Sequence, residues 1–268
     1  MRNLKGPVRE RRAAHFNYRR LTSGELEAYA DQGFLLLDNV LTERGVAEML
    51  GQCMAFWSAE KGEYDPKGTW LRNMLLDNVH HHSSVVRDYY FEGPLVDIIE
   101  QLIGPNVKGV TAQLTFKMRG NTKSVYWHQD NVYGELAPYN SVTCLTALDD
   151  SDEANGCLWI APGSHKDGQR RAGFTEEERD ALIEIELKPD DSMAVPMPLK
   201  AGQCLVFSCW TYHRSDGNHS PNRDRRILFL RYADADAVEV YNNSRPRLGR
   251  VLRGTSRFSE VMEFEAEL

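Results

Sequence analysis

The triplet His128-Gln129-Asp130, followed much later by His213, narrows the folds open to this chain. Side chains at i and i+2 of an extended strand project the same way, so His128 and Asp130 can address one point from one strand end. His213 must then arrive on another strand, which a closed or sandwiched sheet allows. Two imidazoles and one carboxylate on one face are the donor set of a non-haem Fe(II) centre, with the remaining octahedral positions left open. A 2-oxo acid can chelate at two of these, and O2 can take the last. The far end of 2-oxoglutarate is a carboxylate, which a planar guanidinium meets with two parallel hydrogen bonds. Arg223, Arg225 and Arg226 follow His213 and are the candidates for that partner.

The pattern around these residues supports a sheet. From Val107 to Met118 the chain alternates: Val110, Ala112, Leu114, Phe116 and Met118 form one face, and Thr111, Gln113, Thr115 and Lys117 the other. That polar row faces either solvent or, in a ligand-holding barrel, the pocket. Further strands are expected near Ser141–Leu148, Cys157–Ala161, Ser192–Pro196, Gln203–Ser208 and Arg225–Tyr232. Helices are expected earlier. Thr22-Ser23-Gly24-Glu25 reads as a capping box with Gly33 as the stop. Thr42 to Glu60 and Pro94 to Ile103 carry apolar stripes at helical spacing, and Thr175 to Glu184 reads as an exposed helix. Helices first and short strands later imply a mainly β fold with flanking helices.

With 268 residues, 41% of them hydrophobic, the chain can bury one large core. We expect a basic N-terminal arm over residues 1–20 and a single domain over 21–268. Its barrel core would span about 105–235, followed by a C-terminal tail over 243–268. A net charge of −7 argues against a general nucleic-acid binder. No apolar run suits a membrane span or a secretion signal. The five cysteines are scattered without paired spacing, so a reduced, cytoplasmic protein is expected.

Four segments occur in order: Trp127-His128-Gln129-Asp130, Asn155-Gly156-Cys157-Leu158-Trp159, Pro162-Gly163-Ser164-His165-Lys166, and His213-Arg214-Ser215 through Asn218. Together they resemble the phytanoyl-CoA dioxygenase family of Fe(II)/2-oxoglutarate-dependent oxygenases, over roughly Leu21 to Tyr232. The resemblance implies a double-stranded β-helix, the jelly roll or cupin-like barrel, with Fe(II), the cosubstrate 2-oxoglutarate and O2. Carried over by position, His128, Asp130 and His213 are the metal ligands. Ser215, Lys117 and Gln113 are candidate cosubstrate contacts, and Lys117 and Gln113 stand on the polar row found above. Of the three arginines, Arg225 is the first choice for the cosubstrate carboxylate, with Arg226 next and Arg223 third. Arg225 and Arg226 are adjacent and must point to opposite faces of a strand, so only one can enter the barrel.

Candidate substrate contacts are Gln129, Trp127, Tyr133, Trp159, Arg72 and Asn73, with simple packing as the competing reading for the aromatic residues. Where some family members carry a tryptophan after the His-x-Asp motif, this chain has Leu145, which speaks against a fatty acyl-CoA substrate. Halogenating relatives lack the carboxylate ligand, and Asp130 keeps it, so hydroxylation of an unactivated C–H bond of a small molecule is expected. Competing readings are a cupin-like metalloenzyme that does not use 2-oxoglutarate, and a non-catalytic small-molecule binding domain of the same fold. His80-His81-His82 is expected to be a polar loop, because consecutive residues of a regular strand cannot all aim at one ion. His165 reads as a structural hydrogen-bonder in its Pro-Gly-Ser turn.

Overall fold

The computed structural model describes residues 14–62, 75–168 and 191–268. Helices come first, for the reasons visible in the sequence. In α1 (Ser23–Gln32) the Thr22 hydroxyl accepts from the Glu25 N–H, and the Glu25 carboxylate accepts from the Thr22 N–H at 2.8 Å. Gly33 ends this helix at φ +81°, a conformation open to glycine. Then follow β1 (Phe34–Leu37), α2 (Glu43–Lys61), β2 (Leu75–Asp77), α3 (Val79–His82), α4 (Ser84–Glu92) and α5 (Pro94–Ile103). His80–His82 therefore sit in a short helix and not in a loop. The stripe Leu95, Ile98 and Ile99 of α5 is fully buried.

Strands dominate the remainder. They are β3 (Val107–Lys117), β4 (Val125–His128), β5 (Leu136–Ala137), β6 (Val142–Ala147), β7 (Leu158–Ile160), β8 (Val195–Met197), β9 (Cys204–Ser208), β10 (His213–Ser215) and β11 (Arg225–Asp234). The one-turn helix α6 (Asp130–Tyr133) separates β4 from β5. The chain closes with β12 (Val238–Glu239), β13 (Arg245–Pro246), β14 (Arg250–Arg253) and α7 (Ser259–Glu263).

Two antiparallel sheets face each other. The larger has the order β1-β9-β6-β11-β3-β14, with β2 also paired to β3, and the smaller has the order β4-β10-β7-β8. Strands β3, β6, β9 and β11 lie in the larger sheet; of the strands between them in sequence, β4, β7, β8 and β10 lie in the smaller, and β5 joins β12 and β13 in a third. This exchange between sheets is the jelly roll, and it confirms the expected fold class. Each sheet needs its apolar faces covered. Ala112, Leu114, Phe116, Leu228, Leu230 and Tyr232 join the helices in the main core. Leu145, Leu205, Phe207 and Ile227 meet Leu158, Ile160 and Met197 between the sheets.

The pleat therefore settles where the polar row of β3 points. With Ala112, Leu114 and Phe116 against the helices, Thr111, Gln113, Thr115 and Lys117 project toward the smaller sheet. Lys117 is 1% exposed and donates to the carbonyl of Ser215 on β10 at 3.0 Å. The row belongs to the barrel interior.

Both ends of the described chain pack on this frame. Phe16 is buried and bridges Leu41, while His15 meets Glu48 at 2.7 Å. The basic residues 1–13 lie outside the described residues, as does the helix expected at Thr175–Glu184. At the other end β14 pairs with β3, and α7 packs on β14. No described helix is long and apolar enough to cross a membrane.

Fully buried Lys108 ties this C-terminal layer down. Its ammonium donates to the carbonyls of Ala235 (3.0 Å), Ala237 (3.0 Å) and Arg247 (2.6 Å). Replacing it by methionine keeps the bulk and leaves those carbonyls without their donor. Lys108→Met is expected to lower stability by about 2–3 kcal/mol, the scale of charge-assisted hydrogen bonds lost in the interior. Urea unfolding of the two proteins measures the difference.

Candidate metal centre

Strand pairing assembles the donor set. β4 and β10 are antiparallel neighbours, and His213 stands directly opposite His128. Their ring centroids are 4.1 Å apart. β4 ends at His128, but Gln129 stays extended (φ −115°, ψ 138°), so the alternation carries through to Asp130, the first residue of α6. Asp130 Oδ1 lies 3.9 Å from His128 Nε2 and 3.6 Å from His213 Nε2. One ligand atom from each of the three residues falls within 4.8 Å of the others.

The other atoms of these side chains are already engaged. His128 Nδ1 faces the Tyr126 carbonyl at 2.7 Å, and His213 Nδ1 faces the Thr211 carbonyl at 3.0 Å. A carbonyl can only accept, so both rings carry their proton on Nδ1 and turn a bare Nε2 toward Asp130. The Thr143 hydroxyl donates to Asp130 Oδ2, leaving Oδ1 on the side of the imidazoles. Burial, reinforced by His213, pushes the His128 pKa down to about 3, so its ring is neutral under ordinary conditions. Burial alone would raise the Asp130 pKa. The two imidazoles and Arg231 outweigh it and hold the carboxyl well below the usual carboxylate range. Two imidazoles and a carboxylate turned toward one point can hold an iron ion.

A second cluster lies deeper in the barrel. Arg225 on β11 is directly opposite Lys117 on β3, and both face inward. Arg225 is 5% exposed; its Nη1 donates to the Gly156 carbonyl at 2.5 Å, and its Nε is buried without a partner. Among the described residues no carboxylate pairs with it. The neighbouring arginines are neutralised elsewhere. Arg226 grips Asp149 with two bonds (2.6 and 2.7 Å), and Arg223 grips Asp152 likewise (2.7 and 2.8 Å). Burial, with Arg225 next in effect, pushes the Lys117 pKa well below its ordinary value. Burial likewise brings Arg225 down to about 10. Ser215, 3% exposed, lies two residues beyond His213 on the same strand. The cluster is a buried excess of positive charge with an unused guanidinium donor, the electrostatic form of an anion site.

Several expected substrate contacts lie elsewhere. Trp127 and Trp159 alternate with inward residues and so sit on the outer face of the smaller sheet. There the Arg214 guanidinium lies between them, 5.4 and 4.7 Å from their rings. Gln129 is fully buried between the ligands, and its amide donates to the carbonyls of Gly168 (2.9 Å) and Trp210 (2.7 Å), tying loops together and not lining a pocket. Gln113 faces inward but gives its amide to Asp77 at 2.6 Å. The Tyr133 side chain, Arg72 and Asn73 lie outside the described residues.

Two interior residues went unread in the sequence. Thr143 could have been found by stepping back along the pleat from Leu145. Arg231 extends the inward row of β11 and donates to Asn131 (2.5 Å) and Ser141 (3.0 Å), bracing the turn that carries Asp130.

A family model described as phytanoyl-CoA dioxygenase (PhyH) matches residues 29–227, most of the chain. This chain belongs to the phytanoyl-CoA dioxygenase family. It is 26% identical over 223 residues to the ectoine dioxygenase of Bordetella parapertussis, covering 75% of this chain and 72% of that protein. It is 30% identical over 172 residues to phytanoyl-CoA dioxygenase domain-containing protein 1 of Danio rerio, covering 60% of this chain and 59% of that protein. Among solved structures, the fold matches EctD from S. alaskensis with 2-oxoglutarate and 5-hydroxyectoine. The TM-score is 0.69 at 20% identity, covering 91% of this chain and 92% of that one. The 2-oxoglutarate-dependent carbocyclase SnoK matches with a TM-score of 0.70 at 22% identity, covering 88% and 95%.

Thr143→Val removes the hydroxyl that orients Asp130 and keeps the side-chain shape. Iron(II) affinity is expected to fall roughly 10–100-fold, the usual effect of losing a hydrogen bond behind a ligand. Competition titration against a chromophoric chelator under anaerobic conditions measures it.

Proposed function

We propose that this protein is an Fe(II)/2-oxoglutarate-dependent dioxygenase that hydroxylates an unactivated C–H bond of a small organic molecule. The observation that carries the reading is the pairing of two sites. Three donors converge on one point, and behind them the buried Arg225 and Lys117 face each other across β11 and β3. A dicarboxylate with a keto group at one end suits both at once.

His128, Asp130 and His213 would hold the iron. Arg225, helped by Lys117 and the Ser215 hydroxyl, would take the far carboxylate of 2-oxoglutarate. Bound iron supplies the redox chemistry that couples O2 and oxo-acid decarboxylation, giving succinate and CO2, to C–H oxidation. The protein's own part is positional. The Tyr126 and Thr211 carbonyls hold the imidazoles in one tautomer, and Thr143 aims the carboxylate. Leu145, Phe207 and Ile227 keep the surrounding wall apolar. The relatives named as ectoine dioxygenases, a probable hypophosphite dioxygenase and a methylphosphonate hydroxylase differ widely in substrate, so the proposal stops at a small molecule.

Two outcomes check it. His128→Ala and Asp130→Ala should each abolish iron-dependent formation of succinate from 2-oxoglutarate, and retained turnover in either would refute the ligand assignment. Arg225→Ala should raise the KM for 2-oxoglutarate by about 10-fold or more, as expected for losing a charged partner of a carboxylate. Arg226→Ala, which breaks only the Asp149 pair, should leave that KM close to the parent value. A reversed pattern between the two arginines would move the cosubstrate site.

A further inference from the structure

A second cluster of metal-binding side chains lies apart from the iron ligands, where the end of the chain meets α3. His80 Nε2 and His81 Nε2 approach the same carboxylate oxygen, Glu265 Oε1, at 3.3 and 2.8 Å. Their ring centroids are 4.2 Å apart, and one donor atom from each of the three side chains lies within 4.8 Å of the others. The irregular short helix permits what a strand would not: adjacent histidines turned toward one point.

The surroundings are those of a built site. The His80 and Glu265 side chains are 6% and 15% exposed. Among the described residues the Glu265 carboxylate meets no arginine or lysine; Arg250 donates to the Glu265 backbone carbonyl instead, at 2.7 Å. A largely buried carboxylate thus meets two imidazoles. Glu265 also adopts φ +52°, a left-handed backbone conformation that a residue with a Cβ seldom takes, and this conformation presents its carboxylate to α3. His80 and Glu265 line a cavity of about 450 Å³, which together with half-exposed His81 provides a path for entry.

We propose that His80, His81 and Glu265 form a zinc site, with solvent completing the coordination, that pins the C-terminal segment to α3. Two imidazoles and one carboxylate are a donor set that Zn²⁺ takes tetrahedrally. Bonds of about 2.0–2.2 Å place neighbouring donors about 3.4 Å apart. The His80–Glu265 separation of 3.3 Å is close to that figure, and the His81–Glu265 separation must widen from 2.8 Å to about 3.4 Å. Calcium and magnesium prefer all-oxygen shells and fit this set poorly. The site differs from the iron centre in its protons: the Glu265 carboxylate accepts from His81 Nε2–H, so zinc would have to displace that proton. Both iron-site imidazoles give Nδ1 to a carbonyl, whereas His80 Nδ1 is buried without a partner. Zinc should therefore bind here more weakly than a fully braced histidine site would bind it, by roughly 10–100-fold. Binding would stiffen the segment from β2 through α3, which starts next to Asp77 and its bond to inward-facing Gln113.

The test uses full-length protein in which His128→Ala and Asp130→Ala have removed the iron site. Calorimetric titration with Zn²⁺ should find one equivalent bound, accompanied by a rise in Tm. Adding His81→Ala should weaken that binding at least 10-fold and erase the Tm rise. Glu265→Gln, which keeps shape and a hydrogen-bond acceptor but removes the charge, should do the same, so a folding defect in either variant alone does not decide the matter. No bound zinc in the background protein, or unchanged affinity in both added variants, overturns the site.

Discussion

The register between β4 and β10 is the constraint on which the rest depends, because it sets His213 opposite His128 and brings together donors far apart in the chain. A shift of that pairing by one residue would turn one imidazole to the outer face, where Trp127 and Arg214 now lie. The register is held from both sides. β10 also pairs with β7, and the apolar row Leu158, Ile160, Leu205 and Phe207 must stay between the sheets. Hydrophobic burial thus fixes a polar geometry. The Nδ1–carbonyl bonds then set each ring's rotation and tautomer.

Charge tells the second part. The barrel interior holds Lys117, Arg225 and Arg231 on its inward face, where Asp130 opposes Arg231, Asp216 opposes Lys117 and Asp149 opposes Arg225. The Arg231 Nη atoms donate to Asn131, Ser141 and Gly134, and its Nε, like that of Arg225, is buried without a partner. Arg225 and Lys117 face each other, and their hydrogen bonds go to backbone carbonyls. A buried like-charge pair of this kind costs stability in isolation and is retained where an anion completes it. The proposed cosubstrate site rests on that imbalance more than on any single contact.

Short-range pattern made much of the fold legible. The alternation of Val107–Met118 became β3, and the expected strands at Ser141–Leu148, Gln203–Ser208 and Arg225–Tyr232 appear as β6, β9 and β11 with small changes at their ends. The capping box at Thr22 and the stop at Gly33 act as their chemistry requires. Where the reading failed, the missing information was long-range. Trp127 and Trp159 are beside the motifs in sequence, but alternation from His128 and Ile160 sends them outward to Arg214. Gln129 sits between two ligands and points away from both. His80 and His81 became a convergent pair because a helix, not a strand or loop, carries them to Glu265 at the far end of the chain.

From the linear chain alone came the donor types, the alternation that places His128 and Asp130 on one side, and the rule that Arg225 and Arg226 cannot share a face. These follow from local geometry, in which a side chain's direction repeats with a fixed period. Tertiary structure alone decided that Arg226 and Arg223 are neutralised by Asp149 and Asp152 while Arg225 enters the barrel. It also decided that Thr143 braces Asp130, and that the polar row of β3 lines an interior and not a surface. Those outcomes depend on which strands lie side by side and on what covers each face, and sheet pairing between distant segments sets both.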